Sequence, residues 1–388
     1  MNTVFVTGAT GYLGGYTVTR LLRDHPSTRV ALLVRGRDEQ EATEKLWRSL
    51  QLHMEPREFW DALARMDFVL GDLTSTKPRL GIAPEAYERT VNRIDSVLHI
   101  AASLNRKSEK ACLNTNLRGT LAVLELARDA KSRGGLRRYS HVSTVAVCGH
   151  RDREVVGEDA AVDWDRSDYD PYGRTKKFCE HMAHVLLPDV PKTIFRPSIV
   201  MGDATRPETT QFDMVRAFCV LADLPVVPIR AEARQDIVNA DWVGRAIATV
   251  HMKDAPKYDC YHLSSGTRSL SAETIATALA GAVGRRPPRF VGAAEQPFAT
   301  AAELMMRFPK KSGVALVGSL LHVFLPYITY DTVFDNARIV SEIGAAPAPF
   351  TDYCAELYRW AKRHDFEYPY RSLPTRPTQV QGAENGHV

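Results

Sequence analysis

A short apolar run, Thr3-Val4-Phe5-Val6, leads directly into Thr7-Gly8-Ala9-Thr10-Gly11-Tyr12-Leu13-Gly14, and a helical pattern follows through Leu21 and Leu22. This strand, glycine-spaced turn and helix constrain the chain more than any other stretch. Such a turn offers backbone N–H groups and a helix N-terminus to a pyrophosphate, so it predicts a dinucleotide site. Gly8 permits the tight turn, Gly11 lets the backbone approach the phosphates, and Gly14 lets the helix pack closely on the strand. Glycine spacing alone is a weak signal. Its place between a strand and a helix gives it weight.

Strand-like runs at 4–6, 30–34, 67–70, 96–100, 139–142 and 193–195 alternate with helical stretches through the first half. The alternation predicts an α/β fold: a doubly wound parallel sheet of Rossmann type, with a smaller, mostly helical C-terminal substrate lobe. Helical periodicity marks 113–130 and 172–187, and the charged segment 37–65 reads as one or two solvated helices. Residues 1–202 read as the nucleotide-binding domain, with 236–265 returning to it as a helix and a strand. Residues 203–235 and 266–370 read as the substrate lobe, and the polar stretch 371–388 as a disordered tail. From Ser312 to Tyr330 there is no Lys, Arg, Asp or Glu. Gly313, Gly318, His322 and Pro326 argue against a membrane span there, while Val314, Val317, Leu321, Phe324 and Ile328 fall near helical spacing. An amphipathic helix in the lobe core or the wall of an acyl pocket is expected, with membrane-surface contact as the alternative.

The length of 388 residues accommodates one large or two modest domains, and a 44% hydrophobic, 25% charged composition is ordinary for a globular protein. A net charge of +4 is too mild to argue for nucleic acid, but it suits an anionic cofactor or a phosphate-bearing substrate carrier. Six scattered cysteines, with no CxxC pair and no metal-ligand spacing, are expected as reduced thiols in a cytoplasmic protein without a resident metal. The first strand begins at residue 3, so no signal peptide is expected.

Tyr172-Gly173-Arg174-Thr175-Lys176 is the second informative stretch. Asp170 and Pro171 make a helix start, which puts Tyr172 and Lys176 at i and i+4 on one face. A tyrosine titrating near 10 is a poor acid–base group at neutral pH, and the Lys176 ammonium is expected to pull Tyr172 toward the working range. Surface Tyr/Lys pairs are common by chance, but the upstream dinucleotide turn favours the functional reading. Ser143 and Thr144 follow the strand at 139–142, where ligands sit in a doubly wound sheet, so one hydroxyl is expected to face the nicotinamide and meet developing negative charge. Ser143 is expected to be a strand-end hydroxyl that caps backbone groups instead. At the end of the second strand, where an acidic residue would meet the ribose hydroxyls of NAD, stands Arg35, with Arg37 close behind. A guanidinium pairs well with a 2′-phosphate, so NADP is favoured over NAD, whose ribose Asp38 or Glu39 would have to reach.

The motifs TGxxGxxG at 7–14, Gly71-Asp72-Leu73, His99-Ile100-Ala101-Ala102, Asn116, Ser143-Thr144, YxxxK at 172–176 and Arg196-Pro197 together resemble an extended short-chain dehydrogenase/reductase over about residues 3–265. Leu32-Leu33-Val34-Arg35 followed by a long helical insertion, Val142-Ser143-Thr144, and Phe334-Asp335-Asn336 make the chain most similar to thioester reductase domains and fatty acyl-CoA reductases. By that resemblance Thr144, five residues before Gly149, is the catalytic hydroxyl, Tyr172 the general acid and Lys176 the ribose-binding lysine. The resemblance also assigns Asp72, with Leu73 beside it, to the adenine, Ala101 and Ala102 to the flank of the cofactor, and Pro197, Ser198 and Ile199 to the nicotinamide. Thr7, Gly8, Thr10, Gly11, Tyr12, Leu13 and Gly14 are its phosphate turn. Cys148 stands where many relatives carry a tyrosine, which argues against a nucleotide-sugar epimerase. The implied activity is NADPH-dependent reduction of an acyl thioester, on CoA or an acyl-carrier protein, to the aldehyde, with a further step to the alcohol left open. An NADP-dependent ketone or sterol-type alcohol dehydrogenase shares the triad and is the alternative. A non-catalytic NADP-binding regulatory protein is a third reading, disfavoured by the joint presence of Thr144, Tyr172 and Lys176.

Overall fold

Strand β1 (Thr3–Thr7) is buried along its whole length because it has a neighbour on each side. The computed structural model describes residues 2–159, 162–308, 313–329 and 331–377. On one side of β1 lies β2 (Arg29–Val34), followed outward by β3 (Met66–Leu70). On the other side come β4 (Ser96–His99), β5 (Arg138–Val142), β6 (Lys192–Pro197) and β7 (Cys260–Leu263). The order β3-β2-β1-β4-β5-β6-β7 is parallel throughout. Runs such as Val-Ala-Leu-Leu-Val in β2 suit a sheet covered on both faces. The strand order reverses between β1 and β4, and a doubly wound sheet opens its ligand crevice at that point.

The connections carry α1 (Tyr12–Asp24), α2 (Glu39–Leu50), α3 (Gly119–Gly134), α4 (Pro171–Leu186), α5 (Asp213–Asp223) and α6 (Ala240–Met252), and α7 (Gly313–Thr329) follows the last strand. The pleat sorts β1 into two cores. Val4 and Val6 pack with Trp47, Phe59, Val243 and Ile247, whereas Phe5 packs with Val123, Leu126 and Ala183. A third core, including Met201, Val215, Leu279, Phe350 and Leu357, holds the lobe together.

Three expectations need correction. The segment 37–65 forms two helices, α2 and Pro56–Leu63, but they are not simply solvated: Leu46, Leu50 and Phe59 are fully buried in the sheet's core. The helix expected at 113–130 starts earlier, at Glu109–Cys112, passes through a π-helical turn at Leu113–Arg118, and becomes α3 only afterwards. The stretch expected to be disordered from 371 is fastened at its start. The Trp47 indole N–H donates to the carbonyls of Arg371 and Ser372, and Leu373 packs on the sheet's core. Residues 378–388 lie outside the described ones.

The uncharged stretch is helical as α7, with Leu325 and Ile328 buried beside Val227 and Ile229. Ser312 and Tyr330, and the side chains of Val317, Leu321 and Phe324, lie outside the described part. Among the described residues no helix is long and apolar enough to cross a membrane.

Helix α1 sits so low on the glycine turn that a Cβ at Gly14 would lie 1.9 Å from the Gly8 carbonyl oxygen. Gly14→Ala is therefore expected to cost about 3 kcal/mol of stability through overpacking. Urea denaturation measures it, and a loss within about 0.5 kcal/mol would place α1 on a yielding contact rather than a fixed one.

Candidate active site

Past β1 the backbone turns at Gly8, whose φ of +82° lies in the left-handed region that glycine tolerates. A Cβ there would stand 2.7 Å from the Ala101 amide nitrogen, so the turn is pressed against the chain leaving β4. Gly11 caps α1 in an extended conformation without any side-chain capping bond. The first-turn N–H groups of α1 thus have no side-chain acceptor, which fits an anionic group seated at that helix end.

A cleft of about 620 Å³ runs from Arg35 past this turn and Asp72 to Thr144, Tyr172 and Ser198. Gly8, Thr10, Gly11, Tyr12, Leu13 and Gly14 line it, as do Leu73, Ala101, Ala102, Lys176, Pro197 and Ile199. Thr7 does not. It is fully buried beneath the turn, where its Oγ1 accepts from the Ala101 amide at 3.3 Å and lies 2.6 Å from His99 Nδ1. Thr7 therefore shapes the turn rather than facing a ligand. Asp72 Oδ1 accepts from the Thr74 amide and hydroxyl, a local turn at the cleft edge.

The charges around the second strand sort themselves. Arg37 pairs with Glu41 at 3.0 Å, and Asp38 caps α2 by accepting from the Glu41 amide. Arg35 has no ion pair among the described residues and lines the cleft.

Asp170 caps α4, accepting from the Gly173 amide at 2.8 Å with Pro171 in the first turn, and this starts the helix that buries both Tyr172 and Lys176. Lys176 is 2% exposed, its Nζ donates to the Val142 carbonyl at 2.7 Å, and burial lowers its pKa. Burial likewise pushes the Tyr172 phenol up, to about 12, against the opposing effects of the Arg106 guanidinium and a hydrogen bond with Thr144. The expectation that Lys176 depresses Tyr172 is thus corrected. Lys176 is turned to the β5 backbone, and the cation acting on Tyr172 is Arg106.

Nothing in the local pattern of Asn105-Arg106-Lys107 marked that arginine. Its guanidinium carbon lies 5.0 Å from the ring centres of both Tyr172 and Tyr327, and its Nε stands 3.2 Å from Asp170 Oδ2. The Tyr327 hydroxyl, from α7, donates to the same oxygen at 2.7 Å. Asn116, in the π-helical turn, clamps the Ser103 backbone through both ends of its amide and donates to Thr175 of α4.

Both strand-end hydroxyls line the cleft, Thr144 beside Tyr172. Thr144 Oγ1 accepts from the Ala146 amide, capping the short helix Val145–Cys148, while Ser143 Oγ is buried with no partner among the described residues. The Ser143 amide donates to the Phe195 carbonyl, and among the described residues its hydroxyl does not make the backbone cap expected of it, a part that Thr144 takes. Asp236, also on the cleft, is held by the Ser265 amide at 2.8 Å, yet burial raises its pKa to about 7.

Residues 6–247 match the model of a family described as Male sterility protein, an NAD-binding family. The chain is 28% identical over 237 residues to a Drosophila melanogaster protein provisionally named a fatty acyl-CoA reductase, covering 53% of this chain and 42% of that one. It is 34% identical over 157 residues to the L-2-aminoadipate reductase large subunit of Penicillium chrysogenum, covering 39% and 10%. The chain thus spans less than half the length of these relatives. Its fold is like that of the terminal R domain from the myxalamid PKS-NRPS biosynthetic pathway, with a TM-score of 0.77 at 22% identity over 94% of this chain and 92% of that one.

Burial raises both Asp236 and Glu158 to about 7. A carboxyl raised in the folded state lends stability that is complete below about pH 4 and is lost as pH rises through about 7. Asp236→Asn is expected to flatten the fall in unfolding free energy between about pH 4 and 7. Urea denaturation across that window checks it, and an unchanged slope would assign the titration elsewhere.

Proposed function

The chain belongs to the male sterility protein family of NAD-binding domains, and on that premise we propose that it reduces an acyl thioester with NADPH. One observation carries the reading: Thr144, Tyr172 and Lys176 converge with the glycine turn on a single cleft. That cleft adjoins an apolar cavity of about 90 Å³ lined by Phe218, Val227, Ile229 and Leu325, and the two share Ile199 and Met214. An acyl chain has an apolar wall there, and the carbonyl has hydroxyls.

A nicotinamide held in the cleft would supply the hydride for the thioester carbon. The protein's own part concerns the oxygen. Thr144 and Tyr172 hydroxyls donate to it as it gains negative charge, and Tyr172 gives up its proton. The Arg106 guanidinium over the Tyr172 ring favours the phenolate left behind. Lys176, fixed on the Val142 carbonyl, would hold the ribose. The resulting hemithioacetal collapses to aldehyde and free thiol, and a second NADPH would be needed to reach the alcohol.

Arg35 at the end of β2, with no ion pair among the described residues, supports NADP over NAD. The net charge of +4 suits an acidic carrier, either CoA or a carrier protein. Six cysteines without a disulfide fit a reducing compartment such as the cytoplasm.

Thiol release separates this activity from ketone reduction, which the same triad could perform. One thiol per first NADPH consumed is expected on acyl-CoA or acyl-carrier substrates, read with a thiol reagent. NADPH oxidation on ketones without thiol release on any thioester would overturn the proposal. Tyr172→Phe is expected to lower kcat about 10²–10⁴-fold while leaving NADPH affinity unchanged.

A further inference from the structure

We propose that the C-terminal segment 364–373 is part of the cofactor site, where it walls a basic pocket that receives the phosphate monoester on the adenosine ribose of NADP. The proposal rests on the NADP reading above and extends it to a segment more than 300 residues from the glycine turn.

The pocket, about 700 Å³, opens on the outer side of that turn beside Thr10 and Gly11. Arg35 from the end of β2, with Lys45 and Arg48 from α2, gives it a cationic wall. Phe366 and Tyr370 of the C-terminal segment also line it. Its cations differ in how far they are already engaged. Lys45 Nζ is bonded to the Arg35 carbonyl and to Glu41, each at 2.7 Å. Arg35 and Arg48 have no ion pair among the described residues. Asp213 is the carboxylate that lines the pocket, and Arg216 lines it too, donating to the Phe366 carbonyl.

Arg48 is not loose, however. Its guanidinium carbon lies 3.8 Å from the ring centre of Tyr370. A guanidinium laid on an aromatic face keeps its fork of N–H donors in one plane and loses less freedom when a phosphate arrives. The position of Tyr370 is itself strongly fixed. Asp365 and Phe366 adopt consecutive left-handed conformations, φ 49° and 58°, and so redirect the chain as it leaves the helix Cys354–Arg363. Non-glycine residues take that conformation only where surrounding structure over-determines it. Immediately beyond Tyr370, the Arg371 amide donates to Gln51 Oε1 at 2.6 Å, and Trp47 Nε1 donates to the next two carbonyls. Anchors on both sides of Tyr370 thus hold its ring under Arg48, although the last turn of α2 and this segment share no sequence motif.

The test is equilibrium binding to the full chain, using NADPH, NADH, adenosine 2′,5′-bisphosphate and 5′-AMP as probes. Arg48→Ala is expected to weaken NADPH and the bisphosphate about tenfold, as loss of one charged hydrogen-bonding group does, and Tyr370→Ala about threefold, as loss of an exposed cation–π contact does. NADH and 5′-AMP should be unaffected, and Tyr370→Phe should retain wild-type affinity. Arg48 is exposed, so Arg48→Ala reports on the site even if Tyr370→Ala disturbs folding. Equal weakening of NADPH and NADH would reduce the segment to a structural strap, and unchanged NADPH binding would remove it from the site. Either result overturns the proposal while leaving a wild-type preference for NADPH standing. Wild-type protein that binds NADH as tightly as NADPH would instead overturn the NADP reading itself.

Discussion

The space between Gly14 and the Gly8 carbonyl is the constraint from which the rest of the molecule follows. With no side chain at either position, α1 drops onto the turn, and that depth fixes what can lie beside it. Gly244 of α6 meets α1 in the same way, since a Cβ there would stand 2.6 Å from Tyr16 Cβ. Gly8 in turn presses on Ala101, so the ends of β1 and β4 meet at the reversal of the sheet. The Thr7 hydroxyl and His99 seal that meeting, and His99 reaches on to Thr120 of α3. Burial lowers the His99 pKa to about 3, so the ring stays neutral and one nitrogen remains an acceptor for a hydroxyl. The cleft has a firm floor because its two strand ends cannot part.

A single carboxylate joins this floor to the lobe. Asp170 caps the helix that carries Tyr172 and Lys176, pairs with Arg106, and accepts from Tyr327 of α7. Displacing α7 takes one partner from the group that starts α4. It also removes one of the two rings between which Arg106 is held. Tyr172 and α7 are thereby mechanically linked.

What could be read from the sequence was what local chemistry decides. The β-branched strands, the glycine turn and the Asp170-Pro171 helix start are each specified within a few residues, so all three occur close to where the pattern puts them. The side-chain partners were another matter. The i, i+4 spacing placed Tyr172 and Lys176 on one face, but it could not show that the Val142 carbonyl would take the ammonium. Arg106 sits in a loop, where no periodicity tells a solvated arginine from one held between two rings. The polarity of residues 371–373 pointed to disorder because their acceptors and donors, Trp47 and Gln51, lie over 300 positions away. The backbone cap expected of Ser143 falls to Thr144 because the short helix starts at Val145, immediately after it.

The fastening of the C-terminal segment on α2 also sets an order of events during synthesis. Domains generally fold as their chains emerge, N-terminal parts first, and contacts between distant residues form late. Strands β1 to β3 and helix α2 can assemble once residues 3–70 are made. The Trp47 indole and the Gln51 amide must then stay in water until residues 371 and 372 leave the ribosome some 300 residues later. The edge strand β7 arrives in the same interval. A nascent chain therefore passes through a long stage with a formed nucleotide turn and an open flank, and its last described residues act as the closing stitch.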